Sequence, residues 1–120
     1  MTAFKKLFFG LIILFFFSSN SYSKNYKFTK IIKLKAPWGS SFINKDELII
    51  TEKKGKIKII NINSGEVSEV DHNLNFLEDG QGGLLDILYK DNFLWIAYSE
   101  DRGNRKTSTS IAKAKFDKKE

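Results

Sequence analysis

Three glycines and one carboxamide within four residues, Gly80-Gln81-Gly82-Gly83, make the segment of this sequence best suited to meeting a ligand. Glycines so spaced mark backbone that needs positive φ or that another group approaches closely. Gln81 can both donate and accept hydrogen bonds, the pairing that a hydroxyl-rich ligand calls for. A tight structural turn, with Gln81 capping it before Leu84, is the competing reading. The remaining chemistry is sparse. His72 is the sole histidine, in the polar stretch Val70-Asp71-His72-Asn73. It has no second histidine and no serine–aspartate partner at a suitable spacing, so it reads as a surface residue rather than a general base. Asp71, Glu78 and Asp79 could hold calcium loosely, but they lack the ligand spacing and glycine of a calcium loop, and a solvated loop is expected. Asp86 falls between Leu84 and Leu88 on one strand face, where a half-buried carboxylate needs hydrogen-bond partners such as loop amides. With no cysteine in the chain, disulfides, a thiolate nucleophile and cysteine-ligated zinc are excluded.

The elements that must position these residues read as β throughout. Turn-like clusters occur at Asn44-Lys45-Asp46, Lys53-Lys54-Gly55, Asn63-Ser64-Gly65, Lys90-Asp91-Asn92 and Arg102-Gly103-Asn104. Short runs of isoleucine, valine, phenylalanine and tyrosine separate them. Several turns lie about ten residues apart, as in sandwiches, barrels or propellers, and no window beyond the leader sustains a helical period. Lys56-Ile57-Lys58-Ile59 alternates, which implies one buried and one solvated face. Phe93 to Tyr98 is apolar on both faces, which calls for packed sheets on either side; propeller blades supply that. The longer connections, Asp71 to Gln81 and Glu100 to Thr107, are the expected functional end.

Residues 1–23 read as a signal peptide and are set aside from the fold. Lys5 and Lys6 precede the apolar run Leu7 to Phe17, and Ser21-Tyr22-Ser23 offers small residues for cleavage after Ser23. The apolar run is about half the ~20 residues a membrane span needs, so no stable membrane anchor is expected. The protein is then periplasmic or secreted. A net charge of +6 raises nucleic-acid binding, but the positive charge is scattered lysine with only Arg102 and Arg105 as arginines, so no nucleic-acid partner is expected.

Five segments stand in a recognisable order: Pro37-Trp38-Gly39-Ser40-Ser41-Phe42, then Ile49-Ile50-Thr51-Glu52, then Gly55-Lys56-Ile57-Lys58-Ile59, then Gly80 to Asp86, then Tyr98-Ser99-Glu100. Together they resemble the N-terminal part of the PQQ-dependent soluble aldose (glucose/sorbosone) dehydrogenases, over roughly Ile31 to Phe116. The resemblance implies an all-β fold in which residues 24–120 are the N-terminal blades of a β-propeller. At roughly 40–50 residues per blade the chain holds about two, an incomplete ring, and it is expected to be the N-terminal piece of a longer protein. It also implies an exported oxidoreductase acting on an aldose sugar at the anomeric carbon, with PQQ and calcium as cofactors and an external electron acceptor.

In that family a glutamine matching Gln81 lines the sugar pocket, with Gly80, Gly82 and Gly83 as the supporting loop. The catalytic histidine and the cofactor and calcium ligands fall beyond Glu120. His72 does not match that histidine, so no catalytic, cofactor-binding or metal residue is expected within the chain and the fragment itself is expected to be inactive. Trp38 is expected to fill the core. Relatives carry a longer turn, with His-Pro-Asp-Phe, where this chain has only Tyr89-Lys90-Asp91-Asn92-Phe93, which leaves the substrate unassigned. The rival from another class is a non-catalytic secreted propeller that binds carbohydrate or protein through its loops.

Overall fold

A computed structural model describes residues 24–116. The leader assigned to residues 1–23 lies outside the described residues. Among those described there is no helix, hence none long and apolar enough to cross a membrane. Seven strands form two antiparallel sheets, each with its strands in chain order. The first comprises β1 (Pro37–Phe42), β2 (Glu47–Glu52), β3 (Lys56–Asn61) and β4 (Val67–Val70). The second comprises β5 (Leu84–Lys90), β6 (Phe93–Asp101) and β7 (Thr107–Lys115). Four of the five turn clusters fall wholly between strands, and the fifth, Lys90-Asp91-Asn92, begins on the last residue of β5. At the β5–β6 turn, Asp91 and Asn92 have φ of 52° and 62°, the pair of positive values that a two-residue type I′ hairpin demands.

The sheets face each other, with β5 packed against β1 and β2. Isoleucine alternation sets what lies between them. Ile49 pairs with Ile59, and Thr51 with Ile57, so one face of β2 and β3 points at the second sheet. Ile49, Ile57 and Ile59 from that face meet Leu84, Ile87, Leu94 and Ile96 from β5 and β6 in a single buried cluster. Burying such a side chain stabilises by about 1.5–3 kcal/mol. On the opposite face of the first sheet, Ile50 and Ile60 are also buried, near the 31–36 segment, whose Lys35 amide reaches Glu52.

β5 departs from the simple period-two reading. Its pairing with β6 shifts between Leu84 and Ile87. The extra residue of this bulge lets Leu84 and Ile87, three apart, both enter the core. Asp86 and Leu88 therefore lie outside, and Leu84 does not share their side. Asp86 is exposed rather than half-buried, and its Oδ1 accepts the amide of its neighbour Ile87 at 2.9 Å instead of loop amides.

β6 is apolar on both faces in sequence but packed on only one here. Leu94 and Ile96 are buried, whereas Trp95 is 40% exposed, beside Leu88 (52%) and Ile111 (72%). Trp38 is likewise not core filling: it is 49% exposed.

The long connection from β4 to β5, the β2–β3 turn and the β6–β7 turn gather at one end of the two sheets. His72 in the connection bonds Gly55 in the β2–β3 turn, Lys53 reaches Gly80, and Arg105 reaches Asp79. The shortened β5–β6 hairpin lies at the other end, with Tyr89 bonded to Ser41 near the end of β1.

Candidate functional site

The Gly80–Gly83 loop sits where the two sheets meet. Gly82 N–H donates to Asp79 O at 2.7 Å, closing a four-residue turn with Gly80 and Gln81 at its corners. Gly80 has φ 54° while Gln81 keeps an ordinary negative φ, the pattern of a turn that places glycine first. The Gln81 side chain is exposed and has no hydrogen-bond partner among the described residues. It does not cap the turn. The backbone turn is closed without it, and its donor and acceptor are both available.

The loop's neighbours, by contrast, are committed. Gly83 has φ 141°, and a Cβ there would sit 2.2 Å from the Lys53 carbonyl oxygen. That approach lets Leu84 N–H donate to Lys53 O at 3.1 Å and Gly83 O accept Ser99 N–H at 2.9 Å. A Cβ on Gly82 would lie 2.9 Å from Ser99 Oγ. Gly80 has nothing near its Cβ position, so its role is the turn and not close approach.

Charged groups flank the loop. Lys53 Nζ donates to Gly80 O at 2.5 Å and lies 3.7 Å from Glu78 Oε1. Arg105 Nη2 donates to Asp79 Oδ2 at 2.9 Å. That hydrogen bond and its charge hold the Asp79 carboxyl below the usual aspartate value and raise Arg105. Glu78 and Asp79 thus turn to cations, and no group of three His, Asp or Glu side chains among the described residues could hold a metal ion.

His72 is half-buried, not a free surface residue. Its Nε2 lies 2.7 Å from Gly55 O, and its Nδ1 accepts Leu74 N–H at 3.2 Å. A carbonyl can only accept, so the ring carries its proton on Nε2. The ring also lies against Phe76 at 6.0 Å between centroids. Both nitrogens are engaged in holding the connection to the β2–β3 turn.

Two polar residues at the end of β2 were not singled out from the sequence: Thr51, in the seam beneath the loop, and Glu52, on the opposite face of the first sheet. Thr51 is fully buried. Its hydroxyl accepts Gly39 N–H at 3.0 Å and donates to Leu85 O at 2.5 Å, linking β1, β2 and β5. Gly39 must lack a side chain there, because a Cβ would fall 2.6 Å from Asp86 Cα. Glu52 is 3% exposed and accepts Lys35 N–H at 2.7 Å and Lys58 Nζ at 3.0 Å. Burial alone would raise its carboxyl, but these two partners bring it below the ordinary value of 4.5. The available signal was a Thr-Glu pair ending a run of isoleucines, polar groups where the pattern asks for apolar ones.

Four of the short sequence segments therefore converge: Gly39 from the first, Thr51 from the second, Gly80 to Asp86, and Ser99 from the last. The family model for glucose/sorbosone dehydrogenase matches residues 34–120. Among solved structures, the PQQ-bound aldose sugar dehydrogenase of Streptomyces coelicolor is similar with a TM-score of 0.64 and 19% identity, over 73% of this chain and 27% of that one. The soluble aldose sugar dehydrogenase of Escherichia coli, in its apo form, gives a TM-score of 0.60 and 25% identity over 67% and 25% of the two chains. A glucose dehydrogenase gives 0.61 and 24% over 67% and 27%. This chain spans about a quarter of the length of these solved relatives. No curated protein matches it. The two sheets correspond to two blades of a β-propeller, fewer than the roughly four that a closed ring requires.

Proposed function

This chain belongs to the glucose/sorbosone dehydrogenase family, and we propose that it forms the N-terminal part of an exported sugar dehydrogenase that oxidises an aldose at its anomeric carbon. Residues 1–23 act as the export signal in this reading, and residues 24–120 are the start of the propeller domain. The observation that carries the site assignment is the Gln81 carboxamide, exposed and unengaged on a loop whose neighbours are all tied down. An amide held this way can accept from one sugar hydroxyl and donate to another without first breaking an internal bond.

PQQ, when bound with calcium, supplies the redox chemistry in such an enzyme and passes electrons to an external acceptor. The described residues contribute no cluster fit to hold a metal, and both nitrogens of the one histidine are occupied. Under this proposal the chain positions sugar and supplies no base, so residues 24–120 alone are inactive. The non-catalytic propeller that binds carbohydrate or protein is the second reading.

The deciding experiment uses protein expressed from its complete reading frame and loaded with PQQ and calcium. Aldose-dependent reduction of an artificial electron acceptor is expected. Gln81→Leu should raise KM for the aldose about tenfold, the worth of one hydrogen bond of ~1.4 kcal/mol, with less effect on kcat. Saturable carbohydrate binding without any acceptor reduction would favour the non-catalytic propeller instead.

A further inference from the structure

We propose that Lys53 is a positioning residue for Gln81, so that the first sheet dictates where the second presents its carboxamide. This rests on the reading of Gln81 as a sugar contact. Lys53 follows β2 directly and grips the Gln81 loop on both sides. Its ammonium donates to Gly80 O, one residue before Gln81, at 2.5 Å. Its carbonyl accepts Leu84 N–H, three residues after, at 3.1 Å.

Gly83, between these points, is the residue whose missing side chain admits the Lys53 backbone. The Lys53 side chain is only 20% exposed, although it is long and stands next to a surface turn. It is drawn in by Glu78 and the Gly80 carbonyl together. Arg105 ties down Asp79 on the adjoining side of the loop, but its side chain is 83% exposed.

The geometry separates two jobs. Lys53 O fixes the exit of the loop through the backbone, and any residue could supply that bond. The ammonium fixes the entry, which only a cationic side chain of lysine's reach can do; the shorter carboxamide of glutamine falls short of Gly80 O. Loss of the ammonium frees the Gly80–Gln81 peptide to rotate, and a carboxamide at the corner of a turn moves with that peptide. A sugar hydroxyl contact depends on hydrogen-bond distance and angle, so small rotations are costly to binding.

The test compares Lys53→Met and Lys53→Gln with Lys53→Arg, which preserves a donor of similar reach. Amide hydrogen exchange in the full chain, without ligand, is expected to accelerate about tenfold at Gly82, the loop amide that donates to Asp79 O, in the Met and Gln variants, the loss of roughly one charge-assisted hydrogen bond in the loop. The Arg variant should return to near wild-type exchange, and the urea midpoints of all should stay close. Unchanged loop exchange in both neutral variants overturns the clamp whatever the ligand is. In the complete, cofactor-loaded protein, the Met variant should raise the aldose KM while leaving kcat nearly intact, with the Arg variant restoring KM. A loosened loop with unchanged KM, in a protein where Gln81→Leu does raise KM, overturns the positioning role. If Gln81→Leu itself leaves KM unchanged, the sugar assignment fails, while accelerated loop exchange still supports Lys53 as the residue that orders the loop.

Discussion

Thr51 and Leu85 stand on different sheets and are joined by one hydrogen bond, the Thr51 hydroxyl donating to the Leu85 carbonyl at 2.5 Å. Because the same oxygen accepts the Gly39 amide, one buried side chain satisfies two backbone groups across the seam. Thr51→Val keeps the shape and removes both bonds, leaving a buried N–H without a partner. The expected loss is about 2 kcal/mol, read from the urea midpoint of the full chain. Thr51→Ser keeps the hydroxyl and should lose only about 1 kcal/mol, for the missing methyl. Equal losses in the two variants would mean that packing, not the bridge, is what Thr51 contributes.

Glu52 makes stability depend on pH. Its carboxyl is buried, which opposes ionisation, but the Lys35 amide and the Lys58 ammonium lower it below 4.5 on balance. A carboxylate whose folded-state value is depressed contributes stability that is fully present above the unfolded value and lost as pH falls through the folded one. Wild type should therefore exceed Glu52→Gln by about 1.5–3 kcal/mol at pH 7, the range for hydrogen bonds to a charged group. The gap should narrow steadily below about pH 4.5. Urea unfolding at a series of pH values checks this, and a gap that stays constant down to pH 3 would exclude a stabilising charge on Glu52.

The outer face of the second sheet presents Leu88, Trp95 and Ile111 to solvent, around a cleft of about 160 Å³ bounded also by Asp86, Ile87 and Ala97. Lys113 lies over the adjoining rings, its ammonium 4.0 Å from the Phe93 ring centroid and 4.7 Å from that of Trp95. An apolar patch of this kind should bind the dye ANS. Replacing both Leu88 and Ile111 by lysine should reduce that fluorescence and change stability by no more than about 0.5 kcal/mol each, as for surface positions. Undiminished dye binding would locate the accessible apolar surface elsewhere in the chain.

Much of this protein was legible in its residues. The isoleucine alternation of β3, the glycine-, asparagine- and aspartate-bearing turns, and the absence of helical period depend on local φ preferences and side-chain direction, which neighbouring residues control. The loop with Gln81 at its corner was visible for the same reason, since Gly80 takes a left-handed φ that glycine adopts most readily. What local pattern could not supply was anything that depends on contact between the sheets. The bulge in β5 reverses the side on which Asp86 lies, because packing Leu84 and Ile87 into one core outweighs regular pairing. Trp38 and Trp95 look equally fit for a core by type, yet they stay 49% and 40% exposed. Thr51 and Lys53 acquire their roles from partners up to 34 residues away, at distances fixed only when the two sheets close on each other, whereas Glu52 and His72 find theirs in the first sheet and the segments beside it.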